Sequence, residues 1–139
     1  MRIIQTAAPD EKEQFHFMRW RFKPRVIWDA IEKGKIPKQE KEMDISAWAK
    51  KMLGIDLEHP DEEPMGFVRV DLKRAKDIPP SNAGEPGLLV LMGRGDGKFS
   101  LIIDGNHRIA KRYLAGEKLM RFYIVTEAQL KKIPGAMIG

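Results

Sequence analysis

The stretch Phe99-Ser-Leu-Ile-Ile-Asp-Gly-Asn-His-Arg-Ile-Ala-Lys-Arg-Tyr-Leu-Ala-Gly116 decides how this chain folds. Its apolar run, 101–103, breaks at Asp104-Gly105-Asn106, and apolar residues then recur at helical spacing at positions 109, 110, 113 and 114. Gly116 suits the left-handed position that ends a helix, and Asp104 or Asn106 can accept a hydrogen bond from the first free N–H groups. The stretch is therefore predicted to be a strand, a tight turn and a helix.

The predicted turn has the character of an anion site, because several backbone N–H groups and the positive end of the helix dipole point outward there. Arg108 can bind phosphate oxygens in a bidentate manner and stays charged at any relevant pH. His107, whose side-chain type has a pKa of about 6.5, can act as a donor or a general base. Asp104 can hold Mg²⁺ or orient His107. A structural interpretation stays open, with Asp104 as the helix cap and Arg108 as a surface salt-bridge partner.

Length and composition restrict the class of protein. The chain has 139 residues, 42% of them hydrophobic, which suits one domain with a single core. The absence of cysteine excludes disulfides, thiolate nucleophiles and cysteine-ligated metal sites. No apolar stretch approaches the roughly 20 residues that cross a bilayer, and the first apolar pair is too short for a signal-peptide core. We therefore expect a cytoplasmic protein that has no membrane partner.

A net charge of +5 admits partners that carry phosphate, including DNA. The distribution of charge predicts a positive side and an acidic loop, since residues 19–42 hold eight basic and four acidic residues, whereas residues 56–63 hold five acids and no Lys or Arg. Aromatic residues interleave with part of the basic segment, a pattern that can stack nucleic-acid bases. The candidates for nucleic-acid contact are Arg19, Arg21, Lys23, Arg25, Lys111 and Arg112.

Residues 1–66 are predicted to form a mainly helical extension that packs on the core. Val26 to Ile31 and Ile45 to Leu53 show helical spacing and are followed by Gly34 and Gly54, whereas the segment from Phe15 to Phe22 fits either a strand or a helix. The charged segment 36–42 is read as a connection and 59–64 as a solvated acidic loop. We interpret Trp20, Trp28 and Trp48 as core or helix-packing residues in preference to a stacking platform, because each buries a large area.

Residues 67–139 are predicted to form an α+β core, a small mixed β-sheet with packed helices, so that the whole chain is one compact domain. The alternation over Phe67–Leu72 indicates a strand with Val68, Val70 and Leu72 inward. Residues 73–87 are read as a long irregular connection. The apolar runs 88–92 and 98–103 form a hairpin, 119–125 is a further strand, and the capping-box pattern at 126–129 opens a last helix. The strands ending at 103 and beginning at 119 are expected to lie parallel.

The strand, the Asp-Gly-Asn-His-Arg turn and the helix ending at Gly116, with a hairpin before and a strand after, resemble the ParB/sulfiredoxin superfamily of nucleotide-handling domains over about residues 67–125. The resemblance implies a ParB/sulfiredoxin-like fold whose strand-to-helix turn contacts phosphate. Gly105, His107 and Arg108 match the positions that surround the nucleotide phosphates, and Asn106 joins them in place of the sulfiredoxin cysteine. ATP or another nucleotide, with Mg²⁺, is the implied cofactor.

Departures from the superfamily pattern restrict which members of the superfamily this chain can resemble in function. Asn106 cannot form sulfur–phosphoryl intermediates and the chain has no cysteine, so sulfiredoxin activity is excluded. The matching box of chromosome-partition ParB proteins reads Gly-Glu-Arg-Arg, whereas the Asp-Gly-X-His-Arg form is closer to members that look like free-serine kinases and to small plasmid or phage ParB-like nucleases. The helix usually found before the hairpin is expected to be missing here.

Three functions follow. The first is a nucleotide- or phosphate-binding protein, with phosphotransferase or nucleotide-hydrolase chemistry by His107 and Asp104 as an open question; Asp71, Asp96 and the 56–63 acids are further candidates for a base or metal ligand. The second is a ParB-like nuclease or DNA-binding module in which the basic 19–41 segment follows the DNA backbone. The third is a non-catalytic adaptor or inhibitor that binds a protein partner.

Overall fold

A computed structural model describes residues 14–80, 84–93 and 98–138 of the chain. Asp96 and most of the glycine turn of the predicted hairpin lie outside these residues. The described elements are strands and short helices. They are β1 Phe15–Phe17, β2 Trp20–Phe22, α1 Pro24–Glu32, β3 Glu40–Asp44, a π-helical segment Trp48–Met52, α2 Leu72–Lys76, β4 Gly87–Met92, β5 Phe99–Asp104, α3 Asn106–Leu114, β6 Leu119–Thr126, α4 Glu127–Lys131 and β7 Met137–Ile138.

The central sheet has four strands in the order β3-β6-β4-β5 and is mixed, as predicted. β4 pairs antiparallel with β5 and parallel with β6. The prediction that β5 and β6 lie parallel is therefore wrong: β4 lies between them and they run in opposite directions. The end of β5 and the start of β6 lie at the same end of the sheet, where Leu88 pairs with Asp104 and Gly87 with Phe122. The nine-residue α3 therefore needs only to return the chain at that end.

The described part of residues 1–66 is not mainly helical. β1 and β2 form a hairpin that continues into β7 as a second, three-stranded sheet. β3, which was read as a charged connection, pairs along its whole length with β6 at the edge of the central sheet. Four of the five β3 side chains are exposed, so backbone pairing rather than an apolar pattern makes this strand. Residues 40–44 are thus part of the central sheet.

The segment from Phe67 to Leu72 is not a strand, although its alternation is correct. Val68, Val70 and Leu72 are buried, and the Val68 N–H donates to the carbonyl of Met52 at 3.0 Å. Alternate residues of a segment can pack on the core even when no neighbouring strand pairs with that segment. α2 then forms at the start of the predicted irregular connection, because Asp71 caps it by accepting from the N–H of Arg74 at 3.1 Å.

Helices cover both faces of the central sheet. Alternate residues of its strands point to opposite faces and enter two different apolar clusters. Leu88 and Val90 pack with α1, whose Trp28 is buried as predicted. Leu89 and Ile102, which point to the other face, pack with α3, α2 and the π-helical segment. The β5-turn-α3 stretch thus lies between the two clusters, which fixes the turn from both sides.

Local end signals behave as predicted at the last two helices. Gly116 adopts a φ of +87°, its N–H donates to the Tyr113 carbonyl, and the N–H of Glu117 donates to the Arg112 carbonyl. Thr126 and Gln129 form the reciprocal capping box that opens α4. Within the described residues, no helix combines the length and apolar character that crossing a membrane requires.

Candidate functional site

Gly105 makes the turn between β5 and α3. It takes a left-handed φ of +95° and precedes the first helical residue. A Cβ at this position would lie 3.1 Å from the Cα of Gly87 and 3.2 Å from Nη2 of Arg108. No side chain caps α3, so the prediction that Asp104 or Asn106 would do so is wrong. Both side chains are hydrogen-bonded to other groups, and the N-cap residue is Gly105, which has no side chain to accept from the first amides of α3.

Asn106 is held by the π-helical segment. Its Nδ2 donates to the carbonyl of Ile102 at 3.0 Å, and its Oδ1 accepts from Nε1 of Trp48 at 2.7 Å. Only 8% of the residue is exposed. The buried side-chain amide therefore fixes the geometry of the turn, and the contact of Asn106 with phosphate stays a prediction.

Asp104 and Arg108 belong to a buried ionic group. Oδ2 of Asp104 accepts from Nε1 of Trp28 at 2.7 Å and lies 3.9 Å from Nη2 of Arg108. Nη1 of Arg108 lies 3.5 Å from Oε2 of Glu85. Arg108 is 3% exposed, so it is not the surface salt-bridge partner of the structural interpretation. A buried guanidinium beside two carboxylates is compensated in charge, which limits the attraction it adds for a ligand.

His107 connects α3 to α2. Its Nε2 accepts from the backbone N–H of Asp71 at 3.0 Å. Burial, and next the charge of Arg74, lower the pKa of His107 to about 4, although Asp71 and Asp104 act in the opposite direction. The ring is therefore neutral at pH 7 and carries its proton on Nδ1. Because Nε2 is occupied, this arrangement favours the predicted donor role of His107 over the general-base role.

Lys111 holds the other end of α2. Its Nζ donates to the carbonyl of Lys76 at 3.2 Å. His107 and Lys111 are four residues apart and so lie on the same face of α3, where they bind the two ends of α2. A five-residue helix depends on such tertiary contacts, because so short a segment is not stable by itself. These two contacts place Arg74, which α2 carries, beside the turn.

A cavity of about 500 Å³ opens where the turn, α2 and the first hairpin meet. Residues 103–108 form one wall, and the positively charged Arg69 and Arg74 come from the segment around α2. Apolar side chains and the carboxylates of Asp77 and Asp104 contribute the remainder. The apolar side chains at this cavity include those of Phe15, Pro24, Val68, Ile78, Pro79 and Ile103.

Arg69 and Arg74 are the site residues that the sequence did not predict. The alternation that directs Val68 and Val70 inward directs Arg69 outward, and this was the available signal. Arg74 follows a helix-capping aspartate in a segment predicted to be irregular, and no local pattern indicates that it lies on a helix facing the turn.

The six residues predicted for nucleic-acid contact do not line this cavity. Arg19 and Arg21 are exposed on the first hairpin, where Arg19 lies 5.2 Å from the centroid of the Trp20 ring. The other four have structural contacts. Lys23 precedes α1 and its N–H donates to Ala136, Arg25 pairs with Asp29, Lys111 holds α2, and Nη2 of Arg112 donates to the Leu119 carbonyl at 2.6 Å. DNA binding by these residues stays a prediction.

Three of the carboxylates that were predicted as possible metal ligands have protein partners. In the acidic loop, Asp56 contacts His59, Asp61 pairs with Lys76, and Glu63 accepts from the N–H of Leu72. Over residues 14–80, 84–93 and 98–138, no group of three or more His, Cys, Asp or Glu side chains could hold a metal ion. Binding of Mg²⁺ at Asp104 stays a prediction.

No family model matches the chain, and neither a curated protein nor a solved structure matches it. What the chain does must therefore be inferred from its own residues. The cavity at the β5-α3 turn gathers the amide end of α3 and the side chains of Arg69 and Arg74, which are groups that can bind an anion.

Proposed function

We propose that this protein binds a phosphorylated small molecule, most simply a nucleotide, in the cavity between the β5-α3 turn and α2. The observation that carries the proposal is that the amide end of α3 and the arginines Arg69 and Arg74 line the same cavity. Helix N-termini and guanidinium groups are the two commonest protein partners of phosphate oxygens. Here both line one open cavity.

The shape of the cavity favours a small ligand over duplex DNA. About 500 Å³ is within the range of pockets that hold cofactors and drug-sized molecules. A duplex needs an extended basic surface, and the six basic residues predicted for that purpose lie outside the cavity. The apolar side chains that also line the cavity suit the base or another ring of the ligand.

The resemblance to the ParB/sulfiredoxin superfamily gives independent support, because its phosphate contacts come from the same strand-to-helix turn. In our proposal the backbone amides of Asn106 and His107, the Nδ1–H of His107 and the arginines of the α2 segment hold the phosphate. Arg108 also lines the cavity, and its charge is shared with the carboxylates of Asp104 and Glu85.

Catalysis would require a base or a metal besides the phosphate site. The cavity-lining carboxylates available for either purpose are those of Asp77 and Asp104, and Asp104 already accepts from Trp28. A Mg²⁺ ion would therefore be held mainly by the phosphates of a nucleotide. We propose that binding itself does not require the metal, and that phosphotransfer or hydrolysis is a separate property to be assayed.

Thermal denaturation with phosphate compounds tests the proposal. Inorganic phosphate, AMP, ADP, ATP and CTP are added with EDTA or with Mg²⁺, and a short single-stranded oligonucleotide is included. A ligand at one hundred times its Kd adds about 2.7 kcal/mol to the free energy of unfolding, which raises the Tm of a chain of this size by roughly 10 °C. A Tm that no phosphate compound changes would refute the proposal.

A matched pair of variants locates the binding. Arg74→Gln removes a cavity cation and should weaken phosphate binding about tenfold, since charged hydrogen bonds to a partly exposed group fall at the low end of their range. Arg121→Gln removes an exposed arginine that pairs with Glu40 on the central sheet, outside the cavity, and should leave the affinity unchanged. Equal effects of the two substitutions would place the ligand elsewhere.

A further inference from the structure

Met65 and Arg69 are in contact beside the cavity. Nη1 of Arg69 donates to Sδ of Met65 at 3.5 Å. Arg69 lines the cavity, and in the proposed function it is one of the cations that hold the phosphate. Met65 is 71% exposed, so its side chain is open to dissolved reagents. One exposed thioether therefore contacts a cation of the proposed site.

The backbone between these two residues is fixed by the fold. A Cβ on Gly66 would collide with the carbonyl oxygen of Met52, and the N–H of Val68 donates to that same oxygen at 3.0 Å. The chain from Met65 to Arg69 therefore runs close against the end of the π-helical segment. Although both side chains are exposed, their backbones hold them within reach of each other.

Oxidation of the sulfur would strengthen this contact. A thioether is a weak acceptor, so Arg69 leaves Met65 for phosphate with little loss. Hydrogen peroxide transfers one oxygen atom to the sulfur: a sulfur lone pair forms the S–O bond, the O–O bond breaks, and the remaining oxygen leaves as water. The product, methionine sulfoxide, is polar, and its oxygen accepts a stronger hydrogen bond from a guanidinium than the thioether does.

Resting on the proposed function, we infer that Met65 is an oxidation site that regulates phosphate binding in the cavity. In the reduced protein Arg69 is available to the phosphate. In the oxidised protein the sulfoxide oxygen at position 65 holds the guanidinium of Arg69 and competes with the phosphate for it. Methionine sulfoxide reductases, of which one acts on each sulfoxide epimer, reverse the change.

Isothermal titration of the full chain with AMP, before and after treatment with hydrogen peroxide, tests this regulation. Peptide mass spectrometry measures the fraction of Met65 that has gained oxygen. Oxidation should weaken AMP binding about three- to tenfold, the effect of one hydrogen bond to an exposed cation, and the two reductases should restore it. An unchanged affinity at full oxidation of Met65 would overturn the inference and leave the proposed function standing. Failure of every phosphate compound to bind the untreated protein would instead overturn the proposed function.

Three variants assign the effect to Met65. Met65→Leu cannot be oxidised at this position, so it should bind AMP like the untreated wild type and keep that affinity after peroxide. Met18→Leu removes a methionine of the first hairpin that is 82% exposed, and this control should lose affinity after peroxide as the wild type does. Met65→Gln places an amide oxygen near Arg69 and should weaken AMP binding without peroxide. Equal losses after peroxide in Met65→Leu and the wild type, or full affinity in Met65→Gln, would overturn the inference.

NMR checks the contact without any ligand. In ¹⁵N-labelled protein the guanidinium signal of Arg69 should shift when the wild type is oxidised and should stay unchanged when Met65→Leu is treated in the same way. An Arg69 signal that oxidation of the wild type does not shift would overturn the inference whether or not phosphate binds.

Discussion

Replacement of His107 separates a structural role of this ring from a cationic one. In the structure its Nε2 accepts from the N–H of Asp71 at 3.0 Å, and the ring is half-buried between α2 and α3. His107→Ala loses one hydrogen bond, worth about 1 kcal/mol, and up to about 1 kcal/mol of ring packing. We expect the free energy of unfolding to fall by about 1–2 kcal/mol and the Tm by roughly 3–8 °C.

Two further substitutions at this position test which property of the ring matters. His107→Gln keeps a neutral acceptor and a donor, so it should recover at least half of the lost stability and keep phosphate affinity. His107→Lys supplies a cation without an acceptor and should behave like His107→Ala. Urea denaturation and phosphate titration of all three variants give the comparison. Recovery by Lys and not by Gln would refute the account of His107.

The pH dependence of stability tests the protonation of His107 independently. His107 has a folded-state pKa of about 4, below the ordinary value of 6.5, so the unfolded chain binds the proton more readily between these values. Its contribution should be fully present above about pH 6.5 and should be lost as the pH falls toward 4. The stability of the wild type relative to that of His107→Gln, measured by urea denaturation at each pH, should fall steadily as the pH falls through this window. A constant difference would show that His107 does not titrate as described.

Three other changes test the turn and its supports, each by urea denaturation. Gly105→Ala should lower the free energy of unfolding by about 2–3 kcal/mol, because the position combines a φ of +95° with close contacts. Gly116→Ala, where an added Cβ meets open space, should lower it by about 1 kcal/mol. Equal effects of the two substitutions would contradict the close-contact argument. Trp28→Phe removes the 2.7 Å hydrogen bond to Asp104 and should cost about 2 kcal/mol; a change below 0.5 kcal/mol would show that the bond is not important. Arg108→Met leaves two poorly exposed carboxylates without their cation and should cost about 3 kcal/mol, and a neutral or stabilising result would refute the ionic group.

The elements that the sequence predicted correctly are those encoded by short-range patterns. The β5-turn-α3 stretch, the β4-β5 hairpin, β6 and the capped α4 each carry their own periodicity and end signals. β3 carries none, because it is an exposed edge strand that exists only through its pairing with β6. The relative direction of β5 and β6 depends on β4 taking the place between them, which no local pattern encodes.

The candidate site could be predicted only in part, again because local patterns do not encode contacts between distant parts of the chain. The turn residues were identified from the sequence, but their partners come from far along the chain: Trp28 is 76 residues from Asp104, and Trp48 is 58 residues from Asn106. The sequence favours packing over base stacking for both tryptophans and does not indicate these hydrogen bonds. The neutral state of His107 depends on its burial against α2, and most of α2 lies in the segment that the sequence predicts to be an irregular connection.

Locating phosphate by NMR tests the central claim most directly. Uniformly ¹⁵N-labelled protein is titrated with AMP in EDTA, and backbone amide and arginine side-chain signals are followed. The account predicts saturable shifts at the amides of Asn106 and His107 and at the Arg74 guanidinium, with Arg121 unchanged. Saturable shifts confined to residues outside the cavity, or no saturable shift at any concentration, would contradict it.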